Sequence, residues 1–137
     1  MADLTITAAN VVPGADAKLE LGFSGGTIVA GKAVYLDGAD NKWKLADNNA
    51  ATAVERKARG IALTGSSANQ PVVVQLPGGD ITIGAALTQG VAYYLSATAG
   101  GICPVADLSA GMYPQIIGVA KSATVLQLDF TSPGVAL

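Results

Sequence analysis

The sequence contains no histidine and only one cysteine, Cys103. Without histidine the chain cannot form a Ser-His-Asp or Cys-His catalytic arrangement, and it cannot hold a metal through imidazole nitrogens. A lone cysteine cannot form an internal disulfide, which is typical of proteins that fold in a reducing compartment. No basic residue lies near Cys103 in sequence to favour its thiolate, so we expect a small, largely buried side chain there. These absences predict a protein that is not an enzyme and holds no metal or cofactor.

Charged and aromatic residues are also scarce. Charged residues make up 13% of the chain, about half of the roughly 25% that is usual in soluble domains. The formal net charge is −2 and there is no basic stripe, which predicts that nucleic acid is not a partner. No apolar run reaches the roughly 18 residues of a membrane span, and the N-terminus lacks the pattern of a secretory signal, so we expect no membrane association. So few charges indicate that a partner covers part of the surface.

What the sequence does contain is a duplication. Gly-Lys-Ala-Val-Tyr-Leu at residues 31–36 returns as Gly-Val-Ala-Tyr-Tyr-Leu at residues 90–95. Gly-Ile-Ala at residues 60–62 returns as Gly-Val-Ala at residues 118–120. Two copies are too few for a solenoid, which needs at least about three units to bury a core.

The duplication instead predicts two β-rich halves, at about residues 26–75 and 81–130, inside one domain of residues 25–137. Three residues of each copy are expected to occupy equivalent core positions: Tyr35, Leu36 and Ile61 in the first copy, and Tyr94, Leu95 and Val119 in the second. Short apolar runs between Gly, Pro, Asn and Asp favour strands, and 17 glycines argue against long helices. The expected fold is all-β, either a small β-barrel or a β-sandwich.

Local patterns refine this expectation. The alternation at residues 126–130 places Leu126 and Leu128 on one face of a strand. Residues 46–58 offer a capping Asp near the start and basic residues near the end, but only a thin apolar face, so a helix and a loop remain equally open. Residues 105–111 fit a single helical turn.

Residues 1–24 lie outside both copies and carry only short apolar runs. We expect them to form an extended N-terminal arm that adds a strand to a partner through main-chain hydrogen bonds. The arm's candidate partner contacts are Leu4, Ile6, Val11 and Val12. Deleting residues 1–12 is then expected to leave a folded domain that binds its partner more weakly.

The densest charged cluster lies at residues 55–59 and holds Arg56, Lys57 and Arg59, three of the eight cations. These residues form either a solvated face or a contact with an acidic partner surface. Exposed ion pairs are worth only about 0–1 kcal/mol each, whereas a facing acidic surface would raise the association rate. Replacing all three by Ser is therefore expected to slow binding at low salt and to leave the melting midpoint nearly unchanged.

Two segments imitate ligand-binding motifs. Residues 26–32 match most of the phosphate-binding P-loop, but Ala33 replaces the Ser or Thr that would hold Mg²⁺, and a strand rather than a helix follows. Residues 37–41 resemble a calcium loop in composition only, because the acidic residues do not fall at the required alternate positions. We expect a turn at each place.

Five segments, spread over nearly the whole chain, have a distinctive pattern of short strands and turns. They are residues 2–14 (Ala-Asp-Leu-Thr-Ile-Thr, then Val-Val-Pro-Gly), 30–35 (Ala-Gly-Lys-Ala-Val-Tyr), 60–72 (Gly-Ile-Ala-Leu, then Gln-Pro-Val), 81–84 (Ile-Thr-Ile-Gly) and 94–102 (Tyr-Leu-Ser-Ala-Thr-Ala-Gly-Gly-Ile). Together they resemble the capsid decoration, or cement, proteins encoded in the head-gene clusters of tailed bacteriophages.

The resemblance implies a structural virion protein without an active site. Its partner would be the major capsid protein, and it would bind the outer surface of the assembled head and hold neighbouring capsomers together. The resemblance also implies a homo-oligomer, with a trimer at local three-fold axes favoured. Such a protein is made in the host cytoplasm and ends on the capsid surface.

Two other functions remain open at this point. One is another virion component of similar composition, such as a head-fibre base or a tail-tube protein. The other is a carbohydrate-binding β module, in which Trp43 and the tyrosines Tyr35, Tyr93 and Tyr94 would line an exposed groove. We expect these aromatic residues to pack in the core or between subunits instead.

Overall fold

The structure, a computed structural model, describes residues 3–137 and consists mainly of short antiparallel strands. The strands are β1 (Val12–Pro13), β2 (Lys18–Phe23), β3 (Ala33–Asp37), β4 (Lys42–Leu45), β5 (Gly60–Ala62), β6 (Pro71–Leu76), β7 (Asp80–Thr82), β8 (Ala92–Leu95), β9 (Ile102–Pro104), β10 (Ile116–Ala120) and β11 (Val125–Thr131). Single turns of 3-10 helix lie at Ala8–Asn10 and Val105–Asp107. The all-β prediction is confirmed, and the architecture is a sandwich of two packed sheets.

The two sheets repeat one topology. The first sheet has five strands in the order β2-β6-β5-β3-β4, and the second has six in the order β1-β7-β11-β10-β8-β9. With β1 set aside, β7 to β11 take the places in the second sheet that β2 to β6 take in the first. Every pair of neighbouring strands is antiparallel. The duplication seen in the sequence is therefore a duplication of strand pairing.

Cross-strand register agrees between the copies. Four matching pairs show it: Ala33–Ile61 and Val34–Gly60 in the first sheet, and Ala92–Val119 and Tyr93–Gly118 in the second. The first copy begins at β2 rather than at residue 26, because β2 pairs with β6 over its whole length. Residues 18–23 are thus a sheet strand, and the arm assigned to residues 1–24 is too long.

The sandwich has two apolar clusters. The larger, which we call the shared core, lies between the sheets and takes Ala33, Tyr35 and Ile61 from the first sheet. The second sheet contributes eight members: Ile81, Tyr93, Leu95, Ile102, Ile117, Ala120, Leu126 and Leu128. The smaller, which we call the inner core, lies on the opposite face of the first sheet: Ile28, Val34, Trp43, Ala62, Val72 and Val74.

The six expected core positions divide accordingly. Tyr35, Ile61 and Leu95 are buried in the shared core, and Leu36 packs partly buried against the inner core. Tyr94 and Val119 alternate with the buried residues of their strands, and Val119 is 41% exposed. The expectation is wrong for these last two positions, because the two copies turn opposite faces toward the shared core.

The first sheet curls around its inner core. Ser24, just after β2, bridges to Trp43 on β4, and the Gly25 N–H donates to the Trp43 carbonyl at 2.8 Å. A Cβ on Gly22 would lie 2.6 Å from Trp43 Nε1, so glycine is what allows the indole to seat against β2. The first and last strands of this sheet therefore meet at one end without closing a barrel.

Residues 46–58, for which the sequence left a helix and a loop open, form turns and no helix. Their position is fixed by Gln115, whose Oε1 accepts from the Ala58 N–H at 2.7 Å and whose Nε2 donates to the Ala58 carbonyl at 3.0 Å. The single turn expected within residues 105–111 is present at Val105–Asp107.

Candidate partner-binding surface

The segment of residues 3–14 lies against the shared core of its own chain. The Leu4 N–H donates to a carbonyl of β9 at 2.8 Å, Val11 is buried, and Leu4 and Ile6 pack partly buried against the core. Three of the four predicted arm contacts are thus engaged within the chain. Val12, 53% exposed on the edge strand β1, is the fourth and faces solvent.

The P-loop-like residues 26–32 form the turn that enters β3, as expected. Gly31 has a φ of 92°, in the left-handed region that favours glycine. A Cβ on Gly31 would also lie 2.5 Å from Cγ2 of Ile6. The motif's second glycine therefore serves the turn and the docking of the N-terminal segment.

The calcium-like residues 37–41 form the β3–β4 turn. Lys44 Nζ lies 2.7 Å from Asp37 Oδ2 and 3.1 Å from Asp40 Oδ2. Its hydrogen bond to Asp37, joined by the Ala39 backbone N–H, lowers the pKa of that carboxyl. The Lys44 ammonium therefore already lies between the two carboxylates that this turn would offer to a cation.

Cys103 is buried near two carboxylates. The ligand atoms of Asp3, Cys103 and Asp107 lie within 4.8 Å of one another. Burial, followed by the charges of the two acids, raises the pKa of the Cys103 thiol to about 11. A thiol held neutral in this way is a poor nucleophile and a poor metal ligand, because both roles require the thiolate.

The aromatic residues offer no exposed groove for a sugar. Trp43 is 1% exposed in the inner core, and Tyr35 and Tyr93 are buried in the shared core. The Tyr93 hydroxyl accepts a hydrogen bond from the Thr88 N–H at 2.9 Å, which satisfies its polar end. Core packing is confirmed for these three residues, whereas Tyr94 is half-buried and lies outside both cores.

The cationic cluster separates into two parts. Arg56 lies over the ring of Tyr113, with its Cζ 3.7 Å from the ring centroid. Lys57 and Arg59 line an open groove of about 830 Å³, together with Lys18 from the start of β2. Lys18 was not found by sequence reasoning, because it lies far from the others in the chain and only strand pairing brings it near.

The groove has apolar walls between its cations. Leu36 and Leu76 come from the first sheet, Phe130 from the end of β11, and Val54 from the loop that precedes Lys57. The double hydrogen bond between Gln115 and Ala58 anchors this loop. The groove is thus apolar inside and positively charged at its rim, with a fixed wall.

The second accessible feature is the outer face of β2. Leu19, Leu21 and Phe23 alternate along it and are 53%, 72% and 54% exposed. They lie on the same face of the first sheet as Tyr35 and Ile61. The second sheet covers Tyr35 and Ile61 but leaves the part of this face on β2 exposed. Contiguous exposed apolar patches of this kind mark interaction sites. We call these three residues the β2 row.

The main chain of β2 is open along the edge that faces away from β6, except at the Ser24–Gly25 end, where it meets β4. Ser24 donates its N–H to Gln70 O at 2.9 Å on the β6 side, and the next residue, Gly25, donates to β4 on the opposite side. Backbone groups alternate in direction along an antiparallel strand, so those of Leu19 and Leu21 point away from β6. No described strand pairs with them there. An unpaired edge of this kind is a template for another strand.

Comparison with protein-family models gave no match, and comparison with curated proteins gave none either. Among residues 3–137 there is no helix with the length and apolar character needed to cross a membrane. The candidate surface of this chain consists of the β2 row, the open β2 edge and the cationic groove.

Proposed function

We propose that this protein is a structural virion component that binds the outer surface of a phage capsid and stabilises contacts between capsomers. The family resemblance supplies the setting, with the major capsid protein as partner and a homo-oligomer, favoured as a trimer, as the binding unit. The observation that carries the proposal is the β2 row on an open sheet edge. A shell-binding protein needs affinity from contact area, and this edge offers apolar side chains and free main-chain groups together.

The placement of the N-terminal segment changes how such binding would work. An arm engaged on its own core is not free to reach a neighbour, so the contact moves to the rigid edge of the first sheet. A rigid edge loses less conformational entropy on binding than a flexible arm does. Several edges in one oligomer would then add through avidity.

The buried aromatics remove the main support for the carbohydrate-binding alternative. That reading required Trp43 on an exposed groove, whereas the indole is enclosed in the inner core. The other virion functions differ from capsid binding in where the protein would attach, and the experiment below separates them.

The test is binding to purified expanded heads that lack the protein. A capsid-binding protein is expected to saturate at a fixed ratio to the capsid subunits. Leu21→Asn should weaken this binding by roughly 10- to 100-fold, because burial of a leucine side chain contributes about 1.5–3 kcal/mol. Val119→Asn, at an exposed apolar position on the second sheet, is the matched control and should bind like the unmodified protein.

The location of binding decides the proposal. Attachment only at one vertex, or to tails, would favour a head-fibre or tail component. Equal binding of the Leu21 and Val119 variants would remove the β2 row as the contact.

A further inference from the structure

The cations of the groove lack acidic partners. Within residues 3–137 the ion pairs join Lys44 to the β3–β4 turn and Lys121 to Asp80, and none includes Lys18, Lys57 or Arg59. No Asp or Glu lines the groove. Three positive charges thus face one open space without a carboxylate from the described chain.

The space between the cations is apolar. Leu36, Leu76 and Phe130 are partly buried there, and Val54 is 55% exposed at the entrance. A volume of about 830 Å³ lies within the roughly 300–1,000 Å³ range of ligand sites. An apolar floor with a positive rim complements a group that is apolar in its centre and negatively charged around it.

We propose that this groove binds an acidic segment of a partner polypeptide. An apolar side chain of the segment lies between the walls, and its flanking carboxylates meet Lys18, Lys57 and Arg59. Arg56 is not part of the site, because its guanidinium stacks on Tyr113. The inference goes beyond capsid binding, since it specifies the chemistry of the segment and not the protein that supplies it.

The position of Lys18 explains why the ligand is a polypeptide. Lys18 is the first residue of β2 and lines the groove, so this end of β2 lies at the site. A strand added along the open edge of β2 has one of its ends at the groove, whichever direction it runs. The apolar β2 row would hold the body of such a segment, and the groove would hold its acidic end.

The probe is the peptide acetyl-Glu-Asp-Leu-Phe-Asp-Glu-amide, titrated into the full-length chain by calorimetry at low ionic strength. Two matched peptides serve as controls, one with Gln and Asn in place of the acids and one with Gly-Gly in place of Leu-Phe. Both should bind at least about tenfold more weakly, because each removes one half of the complementarity. Added salt should weaken the binding of the acidic peptide.

Variants assign the binding to the groove. Lys57→Gln and Arg59→Gln should each weaken the acidic peptide by about three- to fivefold, as expected for partly exposed charge pairs. Lys121→Gln removes the same charge on the second sheet and should leave binding unchanged. Val54→Asn tests the apolar wall and should also weaken binding while the melting midpoint stays constant.

Three results would overturn the inference: equal binding of the neutral peptide, equal loss in Lys121→Gln and Lys57→Gln, or tighter binding of a 12-nucleotide oligo(dT) than of the acidic peptide. The last would assign the groove to nucleic acid. Head binding through the β2 row is measured separately with Leu21→Asn, so failure of one proposal is distinguishable from failure of the other.

Discussion

β2 and β7 occupy the same position in the two copies, at the outer side of β6 and β11, but only β7 has a further strand paired with it, whereas β2 meets β4 only at its Ser24 end. β1 covers β7 by pairing Val12 with Thr82. Through their shared cross-strand register, Leu19 and Leu21 of β2 correspond to Asp80 and Thr82 of β7. The covered edge is polar on its outer face, and the open edge is apolar. The difference supports the proposal that the β2 edge binds another molecule.

The copies also differ in the face that they bury. In the first sheet, Val34 and Trp43 pack in the inner core, which the curled sheet itself encloses. In the second sheet the corresponding residues, Tyr93 and Ile102, enter the shared core, and the first sheet covers them. The two copies thus share their strand pairing, but the equivalent face is covered by the curled sheet itself in the first copy and by the opposite sheet in the second.

The largest expected effect tests whether the inner core matters as much as the shared core. Trp43 lies opposite Leu36, as Ile102 lies opposite Leu95, so the two positions correspond. Trp43→Ala should lower the free energy of unfolding by about 3–5 kcal/mol, and Ile102→Ala by about 2–5 kcal/mol. Urea denaturation measures both.

The control for this comparison is Leu21→Ala on the exposed face of β2, which should change stability by less than about 0.5 kcal/mol. A cost below about 1 kcal/mol for Trp43→Ala would show that the curled sheet does not depend on its inner core. The comparison between a self-enclosed copy and a covered copy would then fail.

The second prediction concerns the segment that covers β7. Deleting residues 1–12 should lower the free energy of unfolding by about 2–4 kcal/mol, because Leu4, Ile6 and Val11 pack on the shared core. This differs from the expectation based on sequence, in which the segment was a free arm. Val11→Asn and Val12→Asn separate the two views in one matched pair: only the buried Val11 should prove costly. Equal stability of both variants would support the expectation that this segment is an extended arm that does not pack on the core.

The third prediction tests whether the copies use their equivalent glycines alike. A Cβ on Gly60 would overlap Cγ1 of Val74, and one on Gly118 would overlap the Gln127 carbonyl oxygen. Each substitution to Ala should cost about 1–3 kcal/mol, with Gly118→Ala the more costly, because the nearest atom there is a backbone oxygen and the nearest atom at Gly60 is a side-chain methyl group. Gly38→Ala, which has open space around it, should be nearly neutral. Thermal melts of the three variants check the order, and a neutral Gly118→Ala would contradict the close strand approach.

Much of this fold follows from local sequence, and the remainder depends on long-range packing. The repeated Gly-Ile-Ala and Gly-Val-Ala segments predicted equivalent strands, since each needs a glycine where two strands approach closely. Which face of each strand is buried could not be predicted, because Tyr35 and Tyr94 have similar neighbours in sequence, yet Tyr35 packs in the shared core and Tyr94 lies on the opposite face of its sheet. The sequence did not predict that Lys18 lines the groove, for the same reason: no local pattern indicates that β2 pairs with β6.

The smallest expected effect concerns one position at which the copies differ in charge. Lys44 lies opposite Tyr35, and Cys103 lies opposite Tyr94, so a charged residue of the first copy corresponds to a neutral buried thiol in the second. Lys44 is held by its hydrogen bonds to Asp37 and Asp40, whereas burial raises the pKa of Cys103 to about 11 from 9.0. In the unfolded chain the thiol ionises at the lower value, and in the folded chain it stays protonated.

This contribution to stability is therefore fully present below pH 9 and is lost as the pH rises toward 11, because only the unfolded state releases the proton in that interval. The unmodified chain should lose about 1 kcal/mol more stability between pH 9 and 11 than Cys103→Ala does, after allowance for partial solvent screening. At pH 8 the thiol should react with Ellman's reagent only when the protein is unfolded by urea. Fast reaction of the folded chain, or parallel pH profiles for the two proteins, would show that the second copy does not enclose Cys103.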